Sequence, residues 1–359
     1  MFYIIDVKGL ESIYGSLKET FHVISPTLKD GILLYSEDVD FNSLPFGYTQ
    51  MEGPSFYQLL QSSGRYFTYL RPSNTLKYFL RSPNMKLLTV KRSNGELSFE
   101  YHINHRKLAF FDVRRCDLKA LQTLDNVYLN DRFPDPYYRS LRENMFLVGV
   151  DCQTASDVCF CHCMGVYLED SYGADIFITE LDGRFLVTAL SKKGVELVEK
   201  LHIKKASVED IQKAKEKREG LLSTFKKYLD TKDLKENLYR NIEHPYWEEI
   251  GKRCLSCTNC TQVCPTCFCF DIKEVNSIEL DLSERVVSWD SCFNQTFATV
   301  HKFNIRDTIT SRYRQWLMHK MAYWQDQFGE FGCVGCGRCI TWCPAKIDIQ
   351  VETAKLREL

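Results

Sequence analysis

Short apolar segments separated by polar turns dominate the first part of the chain, and they predict β-strands there. Four apolar runs have the length of buried strands: residues 1–5, 31–35, 108–113 and 145–150. Two hairpins are predicted where strand patterns flank a turn, one at Asn94-Gly95 and one at Asp182-Gly183. This half of the chain is therefore expected to be mixed α and β.

Helical periodicity becomes stronger later in the chain. A Lys/Glu-rich segment over residues 208–229 is typical of a helix with a solvated face. Further on, apolar residues recur at three- and four-residue steps and predict a helix with one broad apolar face: Ile309, Tyr313, Trp316, Leu317, Met321 and Trp324. Such an aromatic stripe is more often core than part of a cofactor site.

Two cysteine runs with identical spacing carry the clearest chemical signal. Each reads C-x2-C-x2-C-x3-C-P, the spacing with which bacterial ferredoxins hold [4Fe–4S] clusters. In two-cluster proteins the fourth cysteine of each run binds the neighbouring cluster. The spacing thus predicts one cluster held by Cys254, Cys257, Cys260 and Cys343, and a second held by Cys333, Cys336, Cys339 and Cys264. Structural zinc is the alternative, although three cysteines within seven residues suit it poorly.

A third metal site is predicted at the ends of two apolar runs. Cys116 follows residues 108–113, Cys152 follows residues 145–150, and Cys159-Phe160-Cys161-His162-Cys163 comes soon after. The expected ligands are Cys116, Cys152, Cys159 and Cys161, with Cys163 spare and His162 outside the site. The competing interpretation is that these cysteines are buried and inert. Cys267, Cys269 and Cys292 have no assigned role; burial near the clusters or rearranged ligation are both open.

Composition sets the class of protein. The chain has 359 residues, 44% hydrophobic and 26% charged, with a net charge of −1, so no nucleic-acid partner is indicated. Sixteen cysteines with neither a signal peptide nor a membrane-spanning stretch predict a cytoplasmic protein that uses thiols for metal and not for disulfides.

The predicted fold class is α+β with two domains. Residues 1–240 form a mixed α/β domain carrying one cluster, and residues 241–359 form an α-helical ferredoxin domain carrying two. Residues 265–332, between the two runs, are expected to be mostly helical. Arg338 and Lys346 lie beside the second run, where positive charge would raise a cluster's potential, unless both simply face solvent.

Several motifs occur in the order found in a known family: Cys116-Asp117, Asp135-Pro136-Tyr137-Tyr138, Cys152…Cys159-Phe160-Cys161, Cys264-Pro265-Thr266-Cys267-Phe268-Cys269, Trp289-Asp290-Ser291-Cys292-Phe293 and Phe328-Gly329…Cys333-Val334-Gly335-Cys336-Gly337-Arg338-Cys339. Through them the chain resembles the β subunit of cytosolic NAD(P)-linked nickel–iron hydrogenases (sulfhydrogenases), and it is similar to the electron-transfer subunit of anaerobic (dissimilatory) sulfite reductase. The resemblance covers residues 108–350. The chain differs from the family at residues 298–304, where a Gly-rich turn is usual, and at Cys163.

The resemblance implies three [4Fe–4S] clusters and electron transfer in anaerobic metabolism. Its partners would be a flavoprotein that binds FAD and NAD(P) and the small and large subunits of a nickel–iron hydrogenase, or else a sirohaem sulfite reductase subunit. The chain itself has no Gly-rich dinucleotide fingerprint and no nucleophile–base pair, so it is expected to be a non-catalytic subunit of an oxidoreductase. A zinc-stapled structural protein and a free-standing redox enzyme with its own flavin are the alternatives.

Overall fold

Strands and helices alternate through most of the chain. The structure is a computed structural model that describes residues 1–62, 64–130 and 132–359. Its strands are β1 (Phe2–Ile5), β2 (His22–Lys29), β3 (Ile32–Glu37), β4 (Tyr48–Gly53), β5 (Phe56–Gln61), β6 (Asn84–Ser93), β7 (Glu96–Tyr101), β8 (Leu108–Val113), β9 (Met145–Val150), β10 (Ile176–Glu180), β11 (Phe185–Ala189), β12 (Phe270–Asn276), β13 (Leu282–Trp289), β14 (Thr299–Val300) and β15 (Phe303–Asn304).

Its α-helices are α1 (Val7–Lys18), α2 (Lys77–Leu80), α3 (Arg115–Tyr128), α4 (Pro136–Glu143), α5 (Lys192–Lys200), α6 (Val208–Leu222), α7 (Leu234–Arg240), α8 (Tyr246–Arg253), α9 (Asn259–Gln262), α10 (Ile309–Met318), α11 (Trp324–Phe328), α12 (Arg338–Thr341) and α13 (Ile349–Glu358). A π-helical turn over His319–Tyr323 joins α10 to α11. Within the described ranges, no helix combines the length and the apolar character needed to cross a bilayer.

A seven-stranded sheet forms the centre of the first part, in the order β1-β11-β10-β9-β8-β2-β3. The four strands β2, β8, β9 and β10 run parallel, and antiparallel strands flank them on both sides. Every residue of β8 and β9 is buried. This is the reason for their nearly continuous apolar sequence, because parallel strands with helices on both faces have no solvated side.

Side chains of β8 alternate between two apolar cores. Ala109 and Phe111 pack with α1 on one face, whereas Leu108 and Phe110 pack with α3 and α4 on the other. The predicted strands at residues 1–5, 31–35, 108–113 and 145–150 are confirmed as β1, β3, β8 and β9, within one or two residues. Because β8 and β9 are parallel neighbours, the cysteines that follow them emerge at the same edge of the sheet.

Both predicted hairpins are confirmed. Asn94 and Gly95 take positive φ values of 51° and 85° between β6 and β7, as an Asn-Gly hairpin turn requires. The Asp182-Gly183 turn joins β10 to β11. The helix predicted over residues 208–229 forms as α6 but ends at Leu222.

The segment between the two cysteine runs is not mostly helical, so that expectation was wrong in its first half. Strands β12 and β13 form a hairpin there, and β13 pairs with β6 in a four-stranded sheet of order β12-β13-β6-β7. Helical structure is confined to the second half, in α10 and α11, where the predicted apolar stripe is buried except for Ile309, which is half-buried. The sequence did not predict this hairpin, because its polar residues pair with a strand nearly two hundred residues earlier in the chain. The four-stranded sheet also joins segments from both sides of residue 240.

Candidate metal centres

The first three cysteines of the first run and the last cysteine of the second run line one pocket. This pocket, of about 460 Å³, is lined by all four thiols of the first predicted ligand set: Cys254, Cys257, Cys260 and Cys343. Cys254 follows the end of α8, and Cys260 lies on the short helix α9. Burial raises the pKa of the Cys260 thiol, and the charges of its three set members raise it further. Cys257 is the exposed member of the set.

The second predicted set also converges, and it is more deeply buried. Burial raises the pKa of the Cys339 thiol. The charges of its neighbours Cys333, Cys336 and Cys264 raise it further. Lys320 is fully buried on the π-helical turn, and its Nζ donates to Cys264 Sγ at 3.2 Å, to Thr266 Oγ1 at 3.1 Å and to Gly332 O at 3.3 Å. Cys339 also lines the pocket of the first set, so the two sets adjoin.

A separate pocket of about 520 Å³ lies at the carboxyl edge of the seven-stranded sheet. It is lined by the four thiols of the third predicted set, together with three arginines: Cys116, Cys152, Cys159, Cys161, Arg71, Arg114 and Arg115. Burial raises the pKa of the Cys159 thiol to about 11, while the neighbouring Arg71 acts in the opposite direction. Arg71 Nη1 donates to Glu52 at 2.8 Å and to Cys159 Sγ at 3.6 Å.

The two cysteine runs repeat each other in backbone conformation as well as in sequence. Ser256 and Thr258 have φ values of 53° and 68°, and the equivalent Gly335 and Gly337 have 62° and 79°. Glycine is required only in the second run, because a Cβ on Gly335 would lie 2.7 Å from Cys161 Cα and one on Gly337 would lie 2.6 Å from Val158 O. The second run therefore packs directly on the loop that carries the third set of thiols.

Further contacts fix this packing. Phe160 N donates to Gly335 O at 2.9 Å, and Cys159 Sγ donates to Cys336 O at 3.7 Å. Arg338, between two cysteines of the second run, forms a bidentate ion pair with Asp117 at 2.7 and 2.8 Å. Both side chains are 1% exposed. Of the two alternatives left open, exposure to solvent is therefore wrong for Arg338, whereas Lys346 is exposed.

The donor sets suit iron–sulfur clusters. Nε and Nη2 of the buried Arg71 have no hydrogen-bond partner among the described residues, although Arg71 lines the pocket of the third set. Sulfur atoms of a cluster would accept from such donors. In the part of the chain that the structure describes, no three His, Cys, Asp or Glu side chains are arranged to hold a single metal ion.

The remaining cysteines lie outside these three groups. Leu229 N donates to Cys163 Sγ at 3.4 Å, and Cys163 does not line the third pocket. His162 packs against Phe225, with ring centroids 4.2 Å apart. Cys267, Cys269 and Cys292 lie close to one another and next to Cys264. Sequence reasoning missed Lys320 and Arg71, because neither lies near a cysteine motif and no local pattern distinguishes them from solvated cations.

The chain is similar in sequence to known iron–sulfur proteins. The family model described as a 4Fe-4S dicluster domain matches residues 253–347. Sulfhydrogenase 2 subunit beta of Pyrococcus furiosus is 32% identical over 350 residues, which cover 96% of this chain and 95% of that protein. No solved structure gives a significant match.

Proposed function

Because the chain belongs to the family of sulfhydrogenase β subunits, we propose that it relays electrons within a soluble oxidoreductase complex through three [4Fe–4S] clusters. Two would be held in the dicluster region and one at the carboxyl edge of the seven-stranded sheet. A flavoprotein binding FAD and NAD(P) would lie at one end of the relay, and the small and large subunits of a nickel–iron hydrogenase at the other. The cytoplasm is the expected location.

The packing of the second cysteine run carries this proposal. That run adjoins the first pocket through Cys339 and touches the third through Gly335 and Cys336. Three thiol sets in a continuous row are what stepwise electron transfer needs, whereas separate zinc sites have no reason to adjoin. A relay with no substrate site of its own needs partners at both ends. The sulfhydrogenase relative favours a hydrogenase partner over a sulfite reductase.

The proposed ligands are the three sets already described, and each bound cluster would accept and donate one electron. The residues of this chain around each cluster would set the reduction potential of that cluster. Lys320 donates a hydrogen bond to Cys264 Sγ, and Arg71 donates one to Cys159 Sγ. Hydrogen bonds to ligand sulfur and nearby positive charge raise a cluster's potential. The first set, with the exposed Cys257, would form the end of the row that is open to a partner.

Metal analysis of the purified chain tests the cofactor proposal. Three [4Fe–4S] clusters require about twelve iron atoms and about twelve acid-labile sulfides per chain. The protein should be prepared anaerobically, and iron, sulfide, zinc and flavin should be measured on the same sample. About one zinc per four cysteines without sulfide would establish the structural zinc alternative instead. A bound flavin would indicate a free-standing redox enzyme.

The crossed ligation predicts the outcome of replacing Cys264 with serine. Cys264→Ser should perturb the cluster assigned to Cys333, Cys336 and Cys339, and leave the spectrum of the other dicluster-region cluster unchanged. The electron paramagnetic resonance spectra of the reduced variant and the wild type provide the comparison. Cys343→Ser is the matched variant and should affect the opposite cluster. If Cys264→Ser instead removed the signal of the cluster bound by its own run, the ligation would not be crossed.

A further inference from the structure

Strand β7 forms an uncovered edge of the four-stranded sheet. Among the described residues, β6 is the only strand that pairs with it, and every residue of β7 is exposed. Its apolar side chains alternate with polar ones and therefore share one face of the strand: Leu97, Phe99 and Tyr101, which are 58%, 58% and 65% exposed. An exposed strand edge with apolar side chains is a template for pairing with another chain.

This strand lacks the features that usually protect such an edge. Proteins place lysine, proline or a β-bulge on edge strands and so prevent pairing between chains. The sequence of β7 contains neither lysine nor proline, and its register with β6 is continuous. In contrast, β12 at the opposite edge of the same sheet has Lys273 at its centre, together with Asp271 and Glu274. Of the two edges, β7 is therefore the one suited to adding a further strand.

The hydrogen-bond pattern shows which backbone groups of β7 face outward. The two-residue turn at Asn94-Gly95 makes Ser93 and Glu96 a hydrogen-bonded pair, and such pairs recur at every second residue of an antiparallel ladder. Further along the same ladder, His102 N donates to Leu87 O at 3.0 Å, which agrees with this alternation. The residues whose N–H and C=O groups point away from β6 are therefore the three apolar ones: Leu97, Phe99 and Tyr101.

We propose that two copies of this chain pair through β7, antiparallel and centred on Phe99, and so form a homodimer with one continuous sheet, four strands from each protomer. In this register Phe99 lies opposite Phe99 of the other protomer, and Leu97 lies opposite Tyr101. Every outward-facing residue of β7 then belongs to a hydrogen-bonded pair. The apolar side chains also meet across the interface, and such cross-strand pairs stabilise antiparallel sheets. This inference does not depend on the proposed function.

Charge on the polar face of β7 selects this register over its neighbours. That face carries Glu96, Ser98 and Glu100. A register centred on Ser98 would place Glu96 opposite Glu100 of the other protomer, and one centred on Glu100 would place the two copies of Glu100 opposite each other. Like charges directly opposite destabilise a sheet. The register centred on Phe99 instead places Ser98 opposite Glu100 and Glu96 opposite His102, so that no like charges meet.

Sedimentation velocity of the complete chain, purified anaerobically and measured over a range of concentrations, tests the pairing. The wild type should form a reversible dimer whose fraction rises with concentration. Phe99→Lys should weaken association by about thirtyfold or more, because it removes a central apolar contact and makes two positive charges face each other. Ile272→Lys is the matched control, since Ile272 is 49% exposed on the other edge strand, β12, and this variant should associate like the wild type.

Mixing two variants tests the register itself. Phe99→Lys and Phe99→Glu should each be monomeric where the wild type is dimeric, and an equimolar mixture should form a heterodimer, because position 99 faces itself in the proposed register. Circular dichroism should show the same fold in every variant. A dimer that survives Phe99→Lys, a mixture that stays monomeric, or weaker association in Ile272→Lys would overturn the proposal. So would a wild type that stays monomeric throughout, which would leave this edge to a different subunit.

Discussion

Replacing Arg338 with leucine should destabilise the protein by about 3–5 kcal/mol, the typical cost of breaking a buried ion pair from one side. The variant would leave Asp117 with an unpaired charge at 1% exposure, and Pro72 O would lose the hydrogen bond from Arg338 Nε at 2.8 Å. The midpoint of urea unfolding, followed by circular dichroism under anaerobic conditions, measures the change. Because Asp117 adjoins Cys116 and Arg338 adjoins Cys339, the contact between the second cysteine run and α3 should weaken as well.

Two further variants separate the buried charge from a general effect of losing an arginine. The double variant Arg338→Leu/Asp117→Leu removes both charges and should recover much of the lost stability, because apolar pairs often replace buried ion pairs at little cost. Arg357→Leu breaks a partly exposed pair with Asp230 and should cost about 0–1 kcal/mol. Equal losses of stability in Arg338→Leu and Arg357→Leu would mean that the buried ion pair contributes no more than the partly exposed one.

Replacing Cys159 with serine should remove about four iron atoms per chain, a third of the expected total, because each cluster needs four thiolates. The structure brings Cys159 into the pocket at the carboxyl edge of the sheet, separate from the pocket of the first run. The eight thiols of the dicluster region do not depend on it for ligation. Iron analysis and paramagnetic resonance of the reduced protein should therefore show two remaining clusters.

Cys163 provides the matched control, since it lies four residues further along the same loop but does not line that pocket. Cys163→Ser should keep all of its iron. Unchanged iron in Cys159→Ser would rule out a cluster at this edge of the sheet. Loss of all iron in Cys159→Ser would instead mean that the loop is needed for the second run to fold, since Phe160 and Gly335 are hydrogen-bonded.

The parts of the molecule specified by local patterns could be predicted from the sequence. Continuous apolar runs identified β8 and β9 because both faces of these strands are buried. The doubled cysteine spacing and the position of Cys116 and Cys152 after two apolar runs identified three groups of thiols, each of which comes together in the fold. The Asn-Gly turn was predictable since few other residues take positive φ at two successive positions.

Features that depend on distant segments could not be predicted. The burial of Arg338 depends on Asp117, more than two hundred residues away, and nothing in the local sequence separates it from an exposed arginine. Lys320 lies on a π-helical turn and donates to Cys264, more than fifty residues earlier in the chain. The β12–β13 hairpin was overlooked because its partner, β6, belongs to the first half of the chain.

The shared four-stranded sheet also has a consequence for synthesis on the ribosome. Strand β6 ends at Ser93, and β13, which covers its open edge, begins at Leu282. At about 5–20 residues per second, that edge stays unpaired for about 10–40 s. Cationic side chains protect exposed strand edges from pairing with other chains, and β6 carries Lys86, Lys91 and Arg92. In the finished protein Lys86 forms an ion pair with Glu284 of β13. We expect Lys86 first to prevent β6 of one nascent chain from pairing with another chain. Later, its ion pair with Glu284 should stabilise the pairing of β13 with β6.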